Sequence, residues 1–415
     1  MDKALLKSVK EFPSLRVGVN GSSYVIERLV TGLPFKRAQI VRTYDAINVW
    51  NYTQRHLFPR TPGTAFANCF HCDFGLNRVR LLHLVNTISC SPTPWIVSYE
   101  HYLPRWNVSS EFGQRLLAKP ACRRIIAISQ YAVDEMTDAL GQSPYRDDIL
   151  SKLILLKPAQ RILVRSIKEK ADLPVPVTFT LVGRDFFRKG GLEILRAFMR
   201  LKQERVPFHL HLVTTFAYGD YASKSTSDQV RQARQALGGL GDSVSVHRQI
   251  SNAAVLELLR NSHVGLLPTY DDTYGFSVLE SQAAGCPVIT TDVCVMPEIN
   301  TPGIGWVISV PQTEKRIALR STEPQLRNIS ATIEEGVYHA ALEAIQNPAL
   351  IAAKAEGALD RISREHDPES ITRQTEEVYF DALPSGLTHP IPGGSPPSNP
   401  GSERAPQSHP HRSDS

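Results

Sequence analysis

From Val177 onward the chain repeats one unit: a β-branched run, a turn, then apolar residues at helical spacing. "VTFTLVG" leads to "GLEILRAFMRLK", "FHLHLVTT" to "SDQVRQARQAL", and "SVSVHR" to "SNAAVLELLRNS", a helix capped by Ser251. "VGLLPT" leads through a turn to another helix, and "PVITTD" and "GWVISV" read as further strands. A strand reached through a helix re-enters its sheet in the same direction. The repeat therefore predicts a doubly wound parallel sheet. Such sheets bind ligands at the carboxyl ends of their strands.

The earlier part is less regular. "LRVGVN", "WIVSYE" and "RRIIAIS" read as strands, the last with the continuous apolar centre of a buried parallel strand, and "QYAVDEMTDAL" as a helix. At 415 residues the chain exceeds one ordinary core. The reading is an N-terminal domain over residues 1–172 and a second domain over residues 173–355. Late helices are expected near Ser330–Gln346 and Pro368–Leu383. Eight of the 29 prolines fall in residues 384–415, so that tail is predicted to be disordered.

A net charge of +5 without a dense Lys/Arg run gives no indication of nucleic-acid binding. It leaves open an anionic small ligand and peripheral contact with the inner face of a membrane. No apolar run is long enough to span a bilayer, and "MDKALLKSVKEF" lacks a signal-peptide core, so a cytoplasmic location is expected. The six cysteines are too scattered for a disulfide scaffold; "CFHC", Cys69–Cys72, is a lone C-x-x-C with no second ligand pair, and no metal site is expected. The four Asn-x-Ser/Thr sequons carry no weight without secretion.

Two strand ends concentrate chemistry. "GRDFFRKGG", Gly183–Gly191, lies between a strand and a helix. Unpaired N–H groups and the positive end of a helix attract anions, and Arg184 and Lys189 add two cations, which suits a phosphate or diphosphate. Without that function the segment is a solvated basic turn. The second stretch is "DDTYGFSVLESQAAGCPVITTD", Asp271–Asp292. Gly275 lets the backbone approach a ligand. Glu280 is placed in the first turn of the helix, leaning back toward its N-terminus, and Asp272 on the loop before it. Two carboxylates at one strand end can accept the hydroxyls of a ribose and of a hexose. The plainer alternative makes Asp272 a turn residue and Glu280 a partner of the helix dipole.

The second stretch resembles the signature of family 4 glycosyltransferases, of glycosyltransferase group 1 type. That family has a Glu, seven residues, then a Glu, often with Gly-Phe-Gly after the first. Here Asp272 and Glu280 stand at that spacing, with Tyr274 and Gly275 where the family has Phe and Gly. Gly183, Arg184, Lys189 and Gly190 meet its Gly-Arg, four residues, Lys-Gly pattern, and "AAGCPVITTD" and "MPEI" resemble its later segments. The match covers about Val177–Glu298.

The resemblance implies a GT-B fold: two Rossmann-like domains facing a cleft, with helices in residues 356–383 returning to the first. It implies transfer from a nucleotide-diphosphate sugar with retention of configuration. The acceptor would be a glycan, a lipid-linked molecule or a small molecule. Arg184 and Lys189 would bind the donor diphosphate, and Glu280 the ribose. Asp272 and the amides near Tyr274–Phe276 would hold the sugar. Asp272 is one methylene shorter than the family's Glu. On the acceptor side "RLLHLVNT" offers His83 and Asn86, and "SYEHYLPR" offers Glu100, His101 and Arg105. The family's His at that strand end falls between Glu100 and His101, and His101 is taken as the catalytic candidate. Ser129 matches a family Ser or simply caps a helix.

No G-x-G-x-x-G is present, which weighs against a dinucleotide oxidoreductase. The absence of D-x-D weighs against a metal-dependent nucleotide-sugar site, so no cofactor is expected beyond the donor. The competing readings are a nucleotide-sugar epimerase and a non-catalytic nucleotide-sugar-binding protein.

Overall fold

The computed structural model describes residues 14–57, 68–170 and 176–383. The tail read as disordered lies outside the described residues. Two six-stranded sheets form the frame, and every pairing within them is parallel.

The first lobe contributes β1 (Leu15–Val19), β2 (Ala38–Arg42), β4 (Leu81–Val85), β6 (Trp95–Tyr99), β7 (Cys122–Ala127) and β8 (Leu153–Leu155), in the order β2-β1-β4-β6-β7-β8. A separate two-strand ribbon pairs β3 (Phe70–His71) with β5 (Ile88–Ser89). Its helices are α1 (Tyr24–Ile26), α2 (Ala46–Leu57), α3 (Ser110–Ala118), α4 (Gln130–Leu140) and α5 (Arg146–Leu150). All five residues of β6 are buried, as a central parallel strand covered on both faces requires.

The second lobe orders its strands β11-β10-β9-β12-β13-β14. These are β9 (Val177–Asp185), β10 (Phe208–Thr215), β11 (Val244–His247), β12 (Val264–Leu267), β13 (Val288–Thr291) and β14 (Gly305–Ile308). Helices α6 (Gly191–Gln203), α7 (Ser227–Leu240), α8 (Asn252–Arg260), α9 (Phe276–Ala283) and α10 (Met296–Ile299) connect them. In α6 the residues Leu192, Leu195, Phe198 and Leu201 are buried at three-residue spacing, which makes one apolar stripe against the sheet.

The C-terminal helices depart from expectation. Three are present: α11 (Glu323–Gln346), α12 (Pro348–Glu365) and α13 (Pro368–Asp381). In three dimensions Asn347 accepts the Leu350 N–H at 3.3 Å and Pro348 opens the next helix, where its missing N–H costs nothing.

Helix α13 lies on the first sheet. Its Tyr379 stacks on Phe35, and Glu376 accepts the backbone N–H groups of Lys36 and Arg37 at 2.8 and 2.6 Å. The Tyr379 hydroxyl and that of Ser98 lie 2.7 and 2.8 Å from the two ring nitrogens of His83. This corrects the placement of His83 on the acceptor side: it is a wholly buried core residue. Burial depresses its pKa from 6.5 to about 3. The unfolded chain therefore takes up a proton below pH 6.5 that the folded chain refuses. The stability is complete above pH 6.5 and is lost as the pH falls toward 3, at about 1.4 kcal/mol per pH unit. Urea unfolding at pH 6.5 and 5.5 should show the His83→Gln variant losing about 1 kcal/mol less than the parent. Equal losses would place the buried proton acceptor elsewhere.

Candidate active site

The site forms where β9 and β12 end side by side. After β9 the chain turns on Phe186 and Phe187, both buried, and enters α6. The Lys189 stem folds back over Gly183; a Cβ there would stand 2.1 Å from Lys189 Cδ, so only glycine admits the lysine. Lys189 Nζ reaches Asp272 Oδ2 at 2.9 Å.

After β12 the loop carries Asp272, whose Oδ1 accepts the Gly275 N–H at 3.0 Å and the Tyr274 N–H at 3.4 Å. This carboxylate closes the turn that starts α9. Gly275 has φ +75°, and a Cβ on it would lie 2.7 Å from Met296 Cε, so the fold itself demands this glycine. Burial pushes the Asp272 carboxyl up, but Lys189, Arg188 and the turn N–H groups outweigh it and hold it below the ordinary range.

Glu280 sits in the second turn of α9, not the first, because the helix begins only at Phe276. It is buried, and the Tyr24 hydroxyl of the first lobe donates to its Oε1 at 2.5 Å. The Tyr24 ring stands edge-on to Phe276 at 5.7 Å, and the Arg28 guanidinium lies over both rings.

A cavity of about 270 Å³ gathers Gly183, Lys189, Asp272, Gly275, Phe276, Glu280 and, from the first lobe, Glu100. All seven belong to the residues singled out in the sequence. Burial raises the Glu100 pKa. Its Oε2 accepts from Asn86 at 2.7 Å, and Thr273 of the second lobe donates to Oε1 at 3.4 Å.

The other candidates lie elsewhere. Arg184 is exposed near the end of β9 and does not line the cavity. Arg188 is the second cation near Asp272, 3.9 Å away, and also pairs with Asp185 at 2.5 Å. His101 is not among the lining residues; it lies 3.2 Å from Glu135 and against the rings of Tyr102 and Tyr131. Of the two positions at the end of β6, Glu100 lines this cavity and His101 does not. Asn86 is buried and holds Glu100 in place. Arg105 stacks on Trp106, outside the lining. The Tyr274 side chain is buried beside Phe276, and only its N–H serves the loop. Ser129 caps α4.

Tyr24, Asn252 and Ser277 also line the cavity and were not anticipated. Asn252 opens a helix at the carboxyl end of β11, so the strand-end rule could have found it. Tyr24 follows "NGSS" after β1, a turn signal of the same kind. Ser277 Oγ is buried and has no hydrogen-bond partner in the protein. An unpaired buried hydroxyl is costly unless a ligand or water satisfies it.

The lobes meet around this cavity. Glu298 accepts the N–H groups of Gln130 and Tyr131 at 2.8 and 2.7 Å, capping α4 of the first lobe. Arg316 pairs with Glu298 at 3.2 Å and Lys315 with Asp138 at 2.7 Å.

Comparison with known proteins places this architecture. Residues 166–326 match the family model described as glycosyl transferases group 1. Glycogen synthase of Mycobacterium tuberculosis is 22% identical over 269 residues, 63% of this chain and 58% of that protein. D-inositol 3-phosphate glycosyltransferase of Streptosporangium roseum is 23% identical over 186 residues, 45% of this chain and 43% of that protein. The chain thus spans less than two thirds of the length of either relative. A glycosyltransferase of Rickettsia africae superposes over 90% of this chain and all of its own, with a TM-score of 0.55 at 11% identity. HepE of Anabaena, in complex with UDP and glucose, covers 88% of this chain and 99% of its own, with a TM-score of 0.52 at 14% identity. At such identity the superpositions speak for the fold. The protein has a two-lobed GT-B fold, and its residues 166–326 match the family model of glycosyl transferases group 1.

Proposed function

We propose that the cleft transfers a sugar from a nucleotide-diphosphate sugar to a hydroxyl acceptor, with retention at the anomeric carbon. The observation that carries this reading is the set of groups on one small cavity: the Lys189–Asp272 pair, the unpartnered Ser277 hydroxyl at the start of α9, and Glu280 deeper in. A diphosphate needs cations and N–H donors, and a ribose needs a carboxylate. The strand ends offer both within one cavity.

In this reading Lys189, Ser277 and the first turn of α9 bind the diphosphate and stabilise it as it leaves. Arg184, at the exposed end of β9, is assigned to the diphosphate as well. Glu280 binds the ribose. Asp272 and the amides of Tyr274–Phe276 face the sugar, and Glu100, held by Asn86, faces the acceptor. Group 1 relatives named for glycogen synthesis and for an inositol phosphate acceptor differ in acceptor, so the acceptor stays at the level of a hydroxyl compound.

A thermal-shift screen of UDP-, GDP-, ADP- and TDP-sugars, followed by transfer assays, tests the reading. The HepE complex with UDP makes UDP-sugars the first donors to try. No donor shifting the melting temperature would overturn it. Ser277→Ala should keep the fold and weaken nucleoside-diphosphate binding by about 0.5–1.5 kcal/mol; unchanged affinity by calorimetry would remove Ser277 from the phosphate site.

With Lys189, Arg184 and a helix start as the positive charge, transfer should need no divalent ion. Excess EDTA should leave the rate within about twofold, ~0.4 kcal/mol in barrier. Loss of activity with rescue by Mn²⁺ would refute this. NMR of the product's anomeric proton reads retention directly.

A further inference from the structure

The "CFHC" motif plays no part in the cleft, but the fold supplies it with the partner that the sequence did not show. Ribbon strands β3 and β5 run parallel with Phe70 opposite Ile88 and His71 opposite Ser89. Continuing that register by one residue sets Cys72 opposite Cys90. Two hydrogen bonds hold the strands together through this point: Cys90 N–H donates to the His71 carbonyl at 2.8 Å, and Asp73 N–H donates to Ser91 Oγ at 2.9 Å. Neighbouring strands stand about 4.8 Å apart, within the roughly 4.4–6.8 Å between Cα atoms that a disulfide spans. Both thiols are free and partly exposed, whereas Cys69, Cys122, Cys286 and Cys294 are buried. Among the described residues no group of three or more His, Cys, Asp or Glu could hold a metal ion.

We propose that Cys72 and Cys90 form a reversible disulfide with a low-molecular-weight disulfide as oxidant. The Cys72 thiolate attacks one sulfur of R–S–S–R; the Cys72–S–S–R bond forms and R–S⁻ leaves with the electron pair. Cys90 then loses its proton to solvent and attacks the Cys72 sulfur, which forms the Cys72–Cys90 bond and expels the second R–S⁻. Two protein thiols are oxidised and one small disulfide is reduced to two thiols. Burial and then the neighbouring Cys72 push the Cys90 thiol up to about 11, so Cys90 suits the second, intramolecular step better than the first.

The position matters for the cleft. Cys90 lies four residues beyond Asn86, whose side chain holds Glu100 at the cavity wall. A bond at Cys90 would tie the segment that carries this contact to the ribbon. The chemistry of the pair itself does not depend on the reaction read for the cleft.

The test is peptide mapping of the full-length protein after incubation with oxidised glutathione. Arg78 and Arg80 lie between the two cysteines, so trypsin separates them unless a bond joins them. The expected result is one cross-linked peptide pair lighter by two hydrogen atoms, fragmenting at Cys72 and Cys90 and released by dithiothreitol. It should vanish in Cys72→Ser and Cys90→Ser and survive in Cys69→Ser. Separate glutathione adducts on Cys72 and Cys90, or a cross-link that fragments at Cys69, would overturn the proposal. The fragment spectra of the parent protein decide between these outcomes even if a variant fails to fold.

Discussion

Lys189→Met should lower kcat/KM for sugar transfer by about 10²–10³, the cost of removing one preorganised charge from a transition-state site. The same change leaves Asp272 buried without its closest partner. Breaking a buried pair ordinarily costs about 3–5 kcal/mol. Here Arg188 at 3.9 Å and two turn N–H groups still face the carboxylate, so a loss of about 2 kcal/mol is expected. The two effects can be separated. Adding Asp272→Asn to Lys189→Met removes the stranded charge and should restore most of the melting temperature without restoring turnover. Recovery of activity along with stability would show that Lys189 serves the fold and not the reaction.

Glu280→Gln should weaken binding of a free nucleoside diphosphate about 10–100-fold, since hydrogen bonds to a charged group are worth about 1.5–3 kcal/mol. Tyr24→Phe should do the reverse. In the structure the Tyr24 hydroxyl holds the carboxylate that the ribose would need, and the cavity of about 270 Å³ falls short of the ~300–1,000 Å³ usual for a ligand of that size. On this reading the ribose and the Tyr24 hydroxyl compete for the Glu280 carboxylate. Removing only the hydroxyl should tighten nucleoside-diphosphate binding about tenfold, or ~1.4 kcal/mol. In the Glu280→Gln background Tyr24→Phe should change little, because the competition is gone. Calorimetry showing that Tyr24→Phe weakens binding would make Tyr24 a contact for the nucleotide instead of its competitor.

Other polar contacts also join the two lobes. Glu298 adds to the Ser129 N-cap of α4, and a carboxylate at a helix start satisfies exposed N–H groups and the helix dipole together. Lys315 with Asp138 is an exposed pair, worth little by itself. The lobes are thus joined by polar contacts around the cavity and by an apolar cluster in which Val19, Leu29, Val30, Ile128 and Tyr131 belong with the second lobe's core.

The sequence by itself determined the second lobe and its half of the site. Each of its strands is followed by a local turn and a helix, so period and punctuation fix the element, and the strand end fixes where Lys189, Asp272 and Glu280 stand. Those three residues meet through two adjacent strands, β9 and β12, both legible from their apolar runs. In the first lobe the signal was weaker. Strand β2 and helix α2 carry mixed polar faces, and the order β2-β1-β4-β6 is a matter of long-range pairing that no local window contains. Only the tertiary structure decided that Tyr24 reaches Glu280 across 256 positions and that Arg188, not Arg184, stands beside Asp272. It also decided that Glu100 enters the cavity while His83 is sealed beneath Tyr379, and that the β3–β5 pairing leads toward Cys72 and Cys90. The division follows from the physics: backbone periodicity is written in neighbouring residues, but which side chain reaches a cavity depends on sheet order and on how two lobes close.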